Sequence, residues 1–169
     1  IRVHPYIIQK VSDHFFLFFA SLIILQHDEL IGKGFTGLNV SGNAKTEEKH
    51  WVHEQNATGG LSGYAPAMAF VSEMDDTDPV SLYLQEIADT FDIGVKAHTD
   101  IVIVDTWKNG TTSGTKAARK QDVVISIDNP GSGEAGSALA LTGTFTYDGD
   151  PVQGEFNPST KTFTEKSAA

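Results

Sequence analysis

Three groups of residues in this chain have the types, though not the spacing, from which chemistry is built. His50, His53 and Glu54 place two imidazoles and a carboxylate in one short segment. A helical zinc motif wants its histidines at i and i+4 with the glutamate between them. Here the histidines are three apart and the surrounding AKTEEKHWVHEQ reads as extended, which sends i and i+3 to opposite faces of a strand. Gly32-Lys33-Gly34-Phe35-Thr36-Gly37 and Gly131-Ser132-Gly133-Glu134-Ala135-Gly136 both spell GxGxxG. That fingerprint holds a pyrophosphate only when a helix opens directly after the glycines. The first is followed by LNVSGN, where Gly42 and Asn43 break a helix within a turn or two, and the second by a strand-like run. His50 and Glu54 are the best acid–base pair, and neither has a recognisable partner. The expectation is no catalytic residue, no metal ligand and no cofactor.

The elements that carry these residues are those of a turn-rich globular domain. The 169 residues are 40% hydrophobic with 16 glycines, enough for one core in one domain. The absence of cysteine excludes disulfides, zinc–thiolate sites and thiol catalysis, and is compatible with a reducing cytoplasm. A net charge of −10 argues against stable nucleic-acid binding, which needs clustered Lys and Arg, but not against a surface that nucleic acid must pass without sticking. Residues 73–105 concentrate the acid: Glu73, Asp75, Asp76, Asp78, Glu86, Asp89, Asp92, Asp100 and Asp105 face Lys96 alone, an acidic edge in solvent. Lys116, Arg119 and Lys120 form the one basic cluster, suited to the acidic edge of another copy. Asn56-Ala57-Thr58 and Asn109-Gly110-Thr111 match a glycosylation sequon, which carries no weight without a secretory signal.

In chain order, Phe15–Leu25 (FFLFFASLIIL) is too short for a membrane helix and has too thin a basic flank for a signal peptide, so it reads as a buried strand. Residues 30–70 alternate short apolar runs with glycines around a charged, Trp-bearing excursion. Asp78-Pro79 starts a helix, Val80, Leu82, Tyr83, Leu84, Ile87 and Phe91 include its apolar stripe, and Gly94 is the expected stop. Residues 101–107 form a strand, and 109–114 a loop to an antiparallel partner. Val123, Ile125 and Ile127 alternate until Asp128-Asn129-Pro130-Gly131, an expected end. Leu139, Leu141, Gly143, Phe145 and Tyr147 share a face up to an expected turn at Asp148-Gly149-Asp150-Pro151. A further turn at Asn157-Pro158-Ser159-Thr160 leads into a last strand. The fold class is mainly β, a sandwich or barrel with one flanking α-helix.

Four blocks in order carry a resemblance: GKGFTGLN, then KTEEKHWVHEQNATGGLSGYAP, then DPVSLYLQEIAD, and finally TGTFTYDGDPVQGEFNPSTKTFT. Together they resemble the major tail tube protein of long-tailed bacteriophages, most of all siphophages of Gram-positive bacteria. The likeness spans residues 32–164. Residues 1–29 depart from it, since the family begins with a more polar strand; they are set apart from a tail-tube domain at 30–169, with an arm at about 36–62 and a helix at about 79–91.

The resemblance implies a structural virion protein, not an enzyme. Subunits join in hexameric rings whose sheets merge into a continuous β-barrel, and stacked rings form a tube that conducts DNA into the host. It implies that the 36–62 excursion stacks rings, with residues 45–53 as its paired strands, Lys45, Glu47, Glu48 and Lys49 in charged contacts and Trp51 as a packing anchor. Asp75, Asp76, Asp100 and Asp105 become candidates for an acidic lumen or surface that repels passing phosphates. Its implied partners are further copies, a tape measure protein, a tail terminator and distal tail or baseplate proteins, with DNA only in transit and no membrane. Its implied place is the virion tail, assembled in the host cytoplasm. Two alternatives remain at this point. One is the inner tube of a contractile tail or phage-like bacteriocin. The other is a carbohydrate- or protein-binding β-sandwich, whose usual cue of clustered exposed aromatics is missing, since Trp51 and Trp107 stand apart.

Overall fold

The computed structural model describes residues 21–25, 29–32 and 34–166, with the backbone alone for Ser21–Leu25 and Glu29. Of the expected Phe15–Leu25 strand, the part before Ser21 lies outside the described residues. The rest is β1 (Ser21–Leu25), which pairs antiparallel with β2 (Glu29–Ile31).

Alternating apolar residues build the body. β3 (Phe35–Ser41), β6 (Ala67–Glu73), β7 (His98–Asn109), β8 (Lys116–Ser132) and β9 (Ala140–Asn157) join β1 and β2 in one antiparallel sheet ordered β2-β1-β7-β8-β9-β6-β3. A short β10 (Thr162–Glu165) adds to β9 after the expected turn at 157–160. The two strands at the ends of that order, β2 and β3, are consecutive in the chain. The link from Ile31 to Phe35 spans at most roughly 14 Å, so the sheet must curl until its edges nearly meet. Ile31 and Phe35 indeed reach the same core, with Met68, Phe70, Ile101, Ile103, Val123, Ile125, Leu141 and Phe145. β4 (Ala44–Lys49) and β5 (Thr58–Tyr64) form a separate two-stranded ladder. Among the described residues the fold is mainly β with one flanking α-helix, as the residue patterns lead one to expect.

That helix, α1 (Pro79–Thr90), begins where the sequence places it. Asp78 is extended and its carboxylate accepts from the Ser81 N–H at 2.9 Å, while Pro79 fills a position whose N–H would have no helical partner. Val80, Leu84, Ile87 and Ala88 join the core. Two expectations are corrected here. Leu82 lies two residues, about 200°, round the helix from Val80 and is exposed. Phe91, also exposed, ends the helix itself in the left-handed region (φ 49°), its N–H bonded to the Ile87 carbonyl, three residues before Gly94.

Both turn motifs in the long strands are also corrected. Asp128-Asn129-Pro130-Gly131 does not end β8, which continues to Ser132. The ladder to β9 is irregular there, passing from Ile127↔Gly143 to Asn129↔Thr142 to Ser132↔Ala140. Pro130, with no N–H to give, sits in that irregularity, where a strand tolerates it. Asp148-Gly149-Asp150-Pro151 does not turn the chain either. Lys120 pairs with Val152 and Asp122 with Asp148, so Gln121 alone stands opposite residues 149–151 in a wide bulge. Gln121 is 2% exposed, and its amide donates to the carbonyls of Asp122, Asp148 and Gly149 at 3.0–3.1 Å. The bulge lets β9 serve two neighbours in succession, β6 with residues 140–146 and β10 with residues 154–157.

Candidate assembly surfaces

The charged excursion folds as a freestanding hairpin. Every residue from Ala44 to Tyr64 is exposed except Ala57 and Gly63, which are half-buried, because AKTEEK and TGGLSGY offer little to bury. Residues 36–41, expected in this arm, belong to β3 in the main sheet, where Leu38 packs on the core. The arm therefore starts at Ala44. Its paired strands are β4 and β5, and His50 and His53, expected on a strand, lie in the tip between them. His53 stands 3.7 Å from Glu54, whose carboxylate also accepts from the Thr58 hydroxyl at 2.9 Å. At the neck, the Ala65 N–H reaches the carbonyls of Gly42 and Asn43 at 3.2 Å. The Asn43 amide donates to the Ala65 carbonyl at 3.0 Å, with Asn43 in the left-handed region (φ 44°).

The register gives the arm two unlike faces. Lys45, Glu47 and Lys49 share one, opposite Gly63, Gly60 and Thr58. Ala44, Thr46 and Glu48 share the other with Tyr64, Leu61 and Gly59. Trp51, Val52, Leu61 and Tyr64 are all exposed, an unusual density of large apolar side chains for one hairpin.

At the far end of the β3–β6 pair lies a recess of about 500 Å³ lined by Gly34, Glu73, Met74, Asp75, Asp76 and Gln85. The Glu73 N–H donates to the Gly34 carbonyl at 2.7 Å. Gly34 has φ 84°, and a Cβ there would stand 2.9 Å from the Glu73 carbonyl, so this glycine of the first GxGxxG serves a tight turn into β3. The Asp75 carboxylate accepts from the Thr77 N–H and hydroxyl at 2.8 and 2.6 Å, and the Asp75 N–H donates to the Ser81 hydroxyl at 3.0 Å.

The remaining acidic and basic candidates meet one another inside the subunit. Lys120 lies 2.8 Å from Asp100 and Arg119 3.7 Å from Asp105, diagonal pairs across β7 and β8. The hydrogen bond to Asp100 holds the Lys120 ammonium above the usual lysine range. Lys116 donates to the Asn109 side chain at 2.8 Å across the end of the same hairpin. Sequence spacing alone could not bring these residues together, because the pairing depends on the register of strands joined by a loop.

Sequence reasoning missed Glu155. From β9 its carboxylate accepts from the N–H groups of Thr111 and Thr112 at 2.6 and 3.1 Å, from the Thr115 hydroxyl at 2.7 Å and from the Thr111 hydroxyl. Two successive N–H groups and two hydroxyls make an anion cradle of the β7–β8 loop, and they lower the Glu155 carboxyl from 4.5 to about 2. A carboxyl held lower in the folded protein stabilises it fully above its unfolded value, and that contribution fades as pH falls toward 2. Glu155→Gln is expected to remove this pH dependence and to speed amide exchange at Thr111 and Thr112 about tenfold at neutral pH, read by hydrogen–deuterium exchange. Unchanged exchange would mean the loop holds itself.

No protein-family model and no curated protein matches the sequence. Among solved structures, the chain is similar to one from the tail of an empty gene transfer agent particle determined by helical refinement with C6 symmetry. The identity is 15% and the TM-score 0.53, over 78% of this chain and 93% of that one. It is similar also to a chain from the virion of a native gene transfer agent particle, at 16% identity and TM-score 0.52, over 79% and 95%. A weaker likeness, 13% identity and TM-score 0.44 over 84% and 96%, is to a chain of a sheath–tube complex from an extracellular contractile injection system in its extended state. At these identities the first two likenesses show a shared fold.

Proposed function

We propose that this chain is the structural subunit of a phage tail tube of the non-contractile, siphovirus type. Copies join through the edges of their curled sheets into hexameric rings, so that the sheets merge into one barrel and the exposed edges disappear. Rings stack through the arm, and the lumen conducts DNA without binding it. Tape measure, terminator and distal tail proteins set the length and ends of the tube, which assembles in the host cytoplasm and remains in the virion tail.

The observation that carries this reading is the freestanding arm. A lone two-stranded hairpin is marginal in water, and this one holds Trp51, Val52, Leu61 and Tyr64 in solvent. Such an element makes physical sense as one half of a contact between molecules. The fold shared with a chain from a tail of C6 symmetry supports the same reading, as does the ordered set of sequence blocks from 32 to 164. Asp100 and Asp105 alternate onto opposite faces of β7, so only one of them can line the lumen, and there its carboxylate is offset by Lys120 or Arg119 respectively.

Electron microscopy of the purified protein at high concentration, with class averages seen end-on, tests the proposal. Six-fold rings or hollow tubes are expected. Particles that stay monomeric even with tail-tip and tape measure proteins added would overturn it.

A further inference from the structure

We propose that the tip of the arm, Lys49–His53, docks in the recess at the opposite end of the β3–β6 pair of the next copy. The inference rests on the tube reading above and specifies what receives the arm.

Topology makes the two surfaces ends of one rod. β3 and β6 pair from Phe35↔Ser72 to Ser41↔Ala67. The arm leaves beyond Ser41 and Ala67, whereas Gly34 and Glu73 of the recess lie just beyond Phe35 and Ser72. About 20 Å of paired strand separates the recess from the base of the arm. Within one chain the tip stands in solvent and none of its residues lines the recess, so the chain does not fill its own recess. A second copy placed head to tail can, and because each copy carries both halves the contact repeats without closing, which is how a filament grows along its axis.

The chemistry of the two ends matches. The tip offers Trp51, 54% exposed, and the fully exposed Val52, flanked by Lys49, His50 and His53, with the Glu54 carboxylate turned to His53 and the Thr58 hydroxyl. The recess offers Met74 beside the side-chain-free Gly34, rimmed by the carboxylates of Glu73 and Asp76, both exposed. Its volume of about 500 Å³ accommodates an indole with its neighbours. An indole seated there gains a thioether contact from Met74 and the burial expected of an aromatic anchor, while Lys49 meets the acidic rim. Asp75 and Asp76 then belong to the junction between rings, and the lumen role expected of them passes to other residues.

The chain has no cysteine, so introduced thiols are the only ones present. Val52→Cys and Asp76→Cys together, in assembled and oxidised protein, are expected to give a ladder of linked chains on a non-reducing gel, and each alone no more than dimers. Both positions are exposed, so folding is not at issue. As a second measurement, Lys49→Asp and Asp76→Lys are each expected to raise the protein concentration needed for assembly about tenfold, and the two combined to recover most of it. Tubes that form without the ladder, or single reversals that assemble like the parent, overturn the docking and leave the tube reading standing. A parent protein that forms no tubes even with tail-tip and tape measure proteins added overturns both.

Discussion

Excising Ala44–Tyr64 and joining Asn43 to Ala65 is expected to leave a folded domain that no longer polymerises. The neck is already built to close. Ser41 pairs with Ala67, and the Ala65 N–H and Asn43 amide already bond across the gap. Joining them leaves Gly42, Asn43, Ala65 and Pro66 as a four-residue hairpin loop, a common length for such a connection. No residue of the arm is buried, so removing it should change unfolding free energy by less than about 1 kcal/mol. Assembly is another matter. If the arm is the axial contact proposed above, losing it should raise the concentration needed for tubes at least about a hundredfold, each tenfold being 1.4 kcal/mol. Melting curves and electron microscopy on the same sample read both effects. Long tubes from the excised protein would strip the arm of its stacking role, and a melting point lowered by more than a few degrees would show that it also supports the body.

Phe145→Ala is expected to do the reverse, harming the body first. Phe145 is completely buried where β9 pairs with both β6 and β8, and its ring centroid lies 4.6 Å from that of Phe70. Phe70 in turn packs where Gly143 leaves room. A Cβ at 143 would stand 2.6 Å from the Phe70 ring, and neighbouring backbone closes in from Ser126. The site therefore has little freedom to collapse around a missing ring, and the loss should be about 3–5 kcal/mol. For a domain of this size that lowers the melting temperature by roughly 6–20 °C. Thermal unfolding of the monomer gives the value. A shift under two degrees would mean that the curled sheet repacks freely.

These predictions divide between what the chain displays and what it conceals. Asp78, Pro79 and the 3.6-residue spacing of Val80, Leu84 and Ile87 fix where α1 begins and which face it buries, because caps and periodicity act within a few residues. The alternation of Val123 with Ile125 and of Leu141 with Phe145 fixes two strands and their inner faces for the same local reason. AKTEEK has nothing to bury, so its exposure was legible too. The end of the helix at Phe91 was not, since a large apolar residue in the left-handed region is favoured by nothing in its neighbours.

What the sequence determined alone is thus the set of elements, their inward faces and a projecting charged excursion, all consequences of short-range chemistry. Tertiary structure decided the rest. Asp-Asn-Pro-Gly and Asp-Gly-Asp-Pro suit a turn and a bulge equally well, and only the pairing of β8 with both halves of β9, with the Gln121 amide filling the gap, makes them bulges. Asp100 meets Lys120, and Glu155 meets the loop at Thr111, through registers between residues far apart in the chain. The base of the arm and the recess stand at opposite ends of one strand pair because the antiparallel β3–β6 ladder lies between them, a relation that exists only once the sheet has formed.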